Sequence, residues 1–268
     1  MILLLYMPII DAHAHIFPTT ISEKASRSIG SFYNTSIKYN GSVDELIKSG
    51  DKINVDHYIV HSTATKVEQV CPINDFIINS CNNESRFIGF GTIHPKFPDI
   101  HGEFNRMELG GLKGIKLHPD FQVFAVDDPL FDPVYEELIA RDLPVLIHAG
   151  DPRYKFSNPS RFVNVIEKHP KLKMISAHFG GYNQWGDSLE YLAGKGCWFD
   201  TSSTLWKLSP KEAKAIMDKH GVENFLFGSD FPMWDHADEL EKLKLLDLTD
   251  RELEAILWDN AAELLAIV

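Results

Sequence analysis

The sequence predicts an α/β protein built as a (β/α)8 barrel, and three observations carry that prediction. Eight apolar, β-rich runs recur along the chain, and helical patterns with recognisable caps fill most of the intervals. The length of 268 residues suits one barrel, a class that commonly takes about 250. The runs begin at positions 8, 56, 86, 112, 143, 172, 196 and 223, so after the first interval each step is 24 to 31 residues, one βα unit. Most runs are apolar on both faces, as parallel strands covered by helices are.

The elements follow in order. The first run, residues 8–13, leads into Asp11-Ala-His13-Ala-His15. Residues 16–41 hold ten Ser, Thr or Asn residues and aromatics that include Phe17, Phe32 and Tyr33. A connection that long is usually functional, and it reads as a lid over the barrel mouth. Residues 42–50 form a helix from an N-capping Ser42 to Gly50, ahead of the runs 56–61, 86–92 and 112–117. Residues 128–142 space Leu130, Val134, Leu138 and Ile139 as one helical face. The runs 143–148, 172–178 and 196–200 come next, then a helix over 209–221 with a Ser209 cap, Pro210 in first position and a terminal Gly221. After the eighth run, 223–228, the tail 248–267 reads as two short helices that close the bottom or side of the barrel. No linker interrupts the series, so residues 1–268 are expected to make a single domain. A doubly wound open sheet would want a Gly-rich phosphate loop after the first strand, and none is present.

Composition narrows the partners. With 38 acidic against 26 basic side chains and a formal charge of −12, the chain lacks the basic footprint of a nucleic-acid or anionic-membrane binder. A small-molecule substrate is expected instead. Three cysteines without a CxxC pair point to a reducing compartment, the cytoplasm. The apolar opening, residues 1–10, has no basic leader or cleavage site and is too short to span a bilayer. The apolar C-terminal helices offer a face on which copies could pair as a homo-oligomer.

In a barrel enzyme the chemistry sits where strands end. His13 and His15 share one face of the first strand, because strand side chains alternate, and two such imidazoles can bind one cation. The fifth run ends in His148, the sixth in His178, the fourth in Lys116-Leu-His118, and the eighth leads to Asp230. Neutral imidazoles with a carboxylate suit one divalent metal, Zn first, with Mn, Fe or Co compatible with the same ligands. His61 and His94 are weaker candidates, and the remaining histidines read as ordinary core or surface residues.

These pieces resemble the amidohydrolase-related (type 2) family of metal-dependent TIM-barrel enzymes, which includes aminocarboxymuconate semialdehyde decarboxylase. The matching segments are IIDAHAHIF (9–17), GLKGIKLHPDFQVFAVDDP (111–129), LPVLIHAGDP (143–152), KMISAHFGG (173–181), FDTSS (199–203), FLFGSDFP (225–232) and DNAAELL (259–265). The resemblance implies that His13, His15, His148 and Asp230 ligate the metal. It also implies that Asp230 accepts the proton of an activated water, and that His178 orients that water or steadies charge on the substrate. Family relatives that hold two ions bridge them with a lysine of the fourth strand. The alternative for Lys116 is to bind a substrate carboxylate or to be held by Asp11 or another acid. For the substrate, His118 reads as pocket wall, Arg153 as an anion-binding side chain and Trp206 with Trp234 as an apolar wall.

Two reactions fit that family. Hydrolysis of a small amide, ester or lactone comes first, because no second basic residue stands out to hold a departing carboxylate. Non-oxidative decarboxylation of a small aromatic or muconate-like acid, a carbon–carbon lyase reaction, is the alternative. A phosphoesterase would want more His and carboxylate ligands in a different order. A metal-storage barrel would saturate its ion with protein ligands.

Overall fold

The computed structural model describes residues 7–267; the first six residues of the apolar opening lie outside them. The eight predicted runs become eight parallel strands: β1 Ile10–His15, β2 His57–His61, β3 Phe87–Gly91, β4 Gly114–Leu117, β5 Val145–Ile147, β6 Met174–Ser176, β7 Trp198–Asp200 and β8 Phe225–Leu226. They are hydrogen-bonded in sequence order, β1 through β8. The stretch after β8 returns to β1: Ala12 N–H donates to Phe227 O, Asp230 N–H to His13 O and His15 N–H to Phe231 O, each at 2.8 Å. Those bonds close the barrel.

Helices lie where the caps place them. Val43–Gly50 starts on Ser42, whose side chain accepts from Glu45 N–H. Pro210–His220 starts on a capping box of Ser209 and Glu212 and ends at Gly221 with φ of 92°. The segment expected to be a lid contains a helix, Ser22–Tyr33. The tail runs through Asp250–Glu254, Ala255–Asp259 and Asn260–Leu265.

Two apolar layers explain the packing. Inside the barrel, Ile10, Ala12, Ile59, Phe90, Leu146, Ile175, Ala177 and Leu226 meet Ala261, Ala262 and Leu264 of the tail. The tail therefore plugs the bottom of the barrel, and the apolar residues that suggested pairing between copies are spent on this chain's own core. Outside, Val60, Ile115, Leu117, Val145, Ile147 and Phe199 pack against the helices. Strand alternation then assigns the next interior positions to His61, Lys116, His148 and Asp200. No helix among the described residues is long and apolar enough to cross a membrane.

Candidate active site

His13 and His15 would face outward if alternation continued unbroken from Ile10 and Ala12. A β-bulge between Asp11 and Ala14 shifts the register of β1 on β2 and reverses the parity. Ala14 then joins the outer layer, and both imidazoles turn into the barrel. One further reversal acts in the same way. His178 would point away from Ala177's interior face, but its φ of 61° turns it inward; Asp230, in step with the interior Leu226, also has left-handed backbone at φ 55°. Left-handed backbone at non-glycine residues costs about 1–3 kcal/mol each and gathers at functional sites.

The side chains so placed converge. His13 Nε2 lies 3.4 Å and His15 Nε2 3.3 Å from Asp230 Oδ1. Asp230 Oδ2 accepts from Ser203 Oγ at 2.5 Å, and Ser203 Oγ accepts the Trp234 indole N–H at 2.8 Å. His13 Nδ1 lies 2.8 Å from Asp200 Oδ2. A carboxylate can only accept, so His13 carries its proton on Nδ1 and presents a lone pair from Nε2. The buried Lys116 Nζ sits on that lone pair at 2.9 Å, a cation already facing the position a metal would take. His178 lies 2.9 Å from Ser202 Oγ through Nδ1 and 3.0 Å from His148 Nδ1 through Nε2. These groups fit a divalent ion, since neutral nitrogen donors and one carboxylate meet in a water-poor mouth. Among the described residues three donor triads arise: His13, His15 and His61; His13, His178 and Asp200; and His118, Asp120 and His148.

The amidohydrolase family model matches residues 10–267. The chain belongs to the amidohydrolase family. No curated protein matches it. Among solved structures, this amidohydrolase resembles 5-carboxyvanillate decarboxylase from Sphingomonas paucimobilis, at 16% identity and a TM-score of 0.72, over 98% of this chain and 100% of that one. It also resembles dihydroxybenzoic acid decarboxylase from Polaromonas sp. JS666, solved with manganese and 2-nitroresorcinol, at 15% identity and 0.74 over 97% of both chains. A TIM-barrel protein from Bordetella bronchiseptica gives 16% and 0.80, over 97% and 98%. At such identities the likeness establishes the fold.

Within this amidohydrolase the expected site residues divide into groups. His13, His15, Asp230 and Lys116 meet directly, and His178 stacks on His13 with ring centroids 5.0 Å apart. His148 stands one residue back: its Nε2 faces Gly150 O at 2.9 Å and its Nδ1 faces His178. His118 lies parallel to His148 at 3.9 Å and bonds Tyr33 of the lid helix at 3.0 Å. Arg153 does not reach the cluster. Its guanidinium grips Asp151 at 2.9 and 2.6 Å, donates to Phe32 O and covers the Phe32 ring, which clamps the lid to the loop after β5. Nor does Asp11 hold Lys116, since its oxygens are taken by Ser229, His13 N–H and His236. Trp206 and Trp234 stack on each other at 5.8 Å behind Ser203, where they brace Asp230. Sequence reasoning passed over Asp200, Ser202, Ser203 and Asp120. Only Asp200 left a usable signal, as the acid that ends the seventh run.

Burial, above all, lowers the pKa values of His13, His15, His61, His118 and His178, and takes His148 down to about 3. In the unfolded chain these imidazoles take up protons near 6.5, so the unfolded state binds more protons below that pH and stability falls as pH drops. Glu239 and Asp120, raised by burial to about 7 and about 6, act in the opposite sense. Two carboxyl groups do not offset six imidazoles. Lys116, lowered to about 8, has its window above pH 8. The metal-free protein is therefore expected to lose thermal stability steadily from pH 6.5 to pH 4.5. Melting temperatures recorded in chelator across that range check it, and a flat profile would contradict it.

Proposed function

We propose that this amidohydrolase is a metal-dependent, non-oxidative decarboxylase of a small aromatic carboxylic acid. The observation that carries the reading is the chamber above the cluster. A cavity of about 800 Å³ under the lid helix is walled by Phe17, Phe32, Phe76 and Phe121, with polar side chains that include Asp120 and with His15 as the cluster histidine on its wall. Such a space takes a flat aromatic ring and sets it beside His15. The solved neighbours named for acting on carboxyvanillate and dihydroxybenzoate support the same substrate class. Hydrolysis of an amide, ester or lactone, placed first on sequence grounds, has less support. Lys116, already a candidate for holding a substrate carboxylate, is buried within the cluster with its Nζ 2.9 Å from His13 Nε2, where it can serve a departing carboxylate.

His13, His15 and Asp230, with His148 after a turn of its ring away from Gly150, would hold the ion. When bound, it supplies a Lewis acid against the oxygens of the substrate. Lys116 draws the carboxylate down to the mouth. Asp230 takes a proton from solvent and delivers it to the ring carbon bearing the carboxylate; the C–C bond breaks, its electron pair returns to the ring and CO₂ departs. His178, fixed by Ser202, keeps an imidazole edge against the reacting group. The neighbour with manganese makes Mn²⁺ the first ion to try, beside Zn²⁺.

A panel of hydroxybenzoates, muconate-like acids, esters and lactones, offered to protein reconstituted with each ion, tests the reading. CO₂ release from a hydroxybenzoate is expected, with one solvent deuteron in the product ring when the reaction runs in D₂O. Turnover confined to esters or lactones would restore hydrolysis.

A further inference from the structure

β2 carries a histidine that the reading above leaves unused. His61 is completely buried, and neither Nδ1 nor Nε2 has a hydrogen-bond partner. An imidazole wholly removed from water normally finds at least one partner, because an unmet polar group in the interior is costly. Its position says what is missing. The ladder pairs His15 with His61 at the same level of β1 and β2, so their side chains leave the sheet on the same side. Ile59, two residues earlier, is in the inner layer. The His61 ring centroid lies 4.4 Å from that of His15 and 5.0 Å from that of His13. One nitrogen from each of the three rings falls within 4.8 Å of the other two.

The other triads are less free to bind. His118 and His148 already direct all four ring nitrogens at Tyr33, Phe121 N–H, Gly150 O and His178. Asp200 meets four donors: His13, the backbone N–H groups of His178 and Ser202, and the Ser202 hydroxyl. Only His61 brings two unclaimed nitrogens.

We propose that His61 is a further imidazole ligand of the ion held by His13 and His15. The inference rests on the reading that the His13–His15 pair is the metal site. It assigns to β2 a donor that the sequence ranked low, and it would add His61 to the residues of β1 that hold the ion.

Co²⁺ alone, added to the metal-free full-length chain, is the probe. Its visible absorption reports ligand type and number, and chelator competition reports affinity. The parent protein, His61→Leu, His61→Gln and a His13→Ala/His15→Ala double variant are compared. Loss of an outer hydrogen-bond partner weakens a site by about 10–100-fold. His61→Leu is expected to exceed 100-fold, to shift the Co²⁺ bands and to unfold at a higher temperature than the parent in chelator, since two unmet nitrogens are gone. The double variant is expected to lose Co²⁺ altogether. Should the parent bind no Co²⁺, or the double variant retain it, the metal-site reading itself fails and the inference goes with it. Should the double variant lose Co²⁺ while both His61 variants bind it as the parent does, with unchanged bands, only the inference is overturned; a raised KM in those variants would then give His61 to the substrate. Failure of both His61 variants to fold without metal would show that its nitrogens are already satisfied, and would overturn it too.

Discussion

Asp230→Asn is expected to keep the fold and lose about 10²–10⁴-fold in kcat, the range a positioned proton-transfer group contributes. The substitution preserves shape, and the amide oxygen can still accept from Ser203. It removes the group that delivers a proton and puts an amide where His13 and His15 now meet a carboxylate at 3.4 and 3.3 Å. The surroundings show that this oxygen is aimed. Trp234 donates to Ser203, which directs the serine hydroxyl's own hydrogen to Asp230 Oδ2. The measurement is kcat on the acid that the substrate panel identifies, with metal content and circular dichroism determined on the same sample. Metal-replete, folded Asp230→Asn retaining more than about a tenth of parental kcat would remove Asp230 from proton transfer.

Asp11→Ala is expected to give the largest loss of stability of any single change near the site, about 3–5 kcal/mol. Asp11 is wholly buried. One of its oxygens accepts from Ser229 N–H at 2.9 Å and His13 N–H at 3.0 Å; the other accepts from Ser229 Oγ at 2.6 Å and meets His236 Nε2 at 2.9 Å. Deleting the carboxylate strands four partners where water does not reach. These bonds also join β1 to the segment that closes the barrel, and they hold the backbone just before His13. The loss should therefore be accompanied by weaker metal binding. Asp11→Asn, which keeps one oxygen but turns an NH₂ on part of the set, should fall between Ala and the parent. Urea unfolding of the three metal-free proteins measures the order, and a loss under about 1 kcal/mol for Asp11→Ala would show that the cluster is not held from this side.

The barrel mouth shows why some residues were legible and others were not. His13, His15, His178 and Asp230 stood out because each ends an apolar run, and in a barrel such ends converge whatever the detailed packing. Arg153 was misread as an anion-binding group. A loop arginine looks the same in sequence whether it faces a ligand or a neighbouring acid, and here Asp151 and the lid claim it. Trp206 and Trp234 were expected to line the pocket, yet their role runs through Ser203, a residue with no signal of its own. His61 ranked low for a related reason. A histidine in a strand is ordinary; one with no partner is visible only when every neighbour is in place.

The sequence by itself determined the eight repeating units, the caps that start and stop their helices and the order in which the histidines arrive. Those features follow from local rules, the period of strands and helices and the preferences of Ser, Pro and Gly at their ends. Tertiary structure alone decided which way the decisive side chains face. The bulge in β1 and the left-handed backbone at His178 each reverse what alternation dictates, and each is maintained by bonds to residues far along the chain. A strained local conformation persists only when distant packing over-determines it, and so it cannot be read from the residues that adopt it.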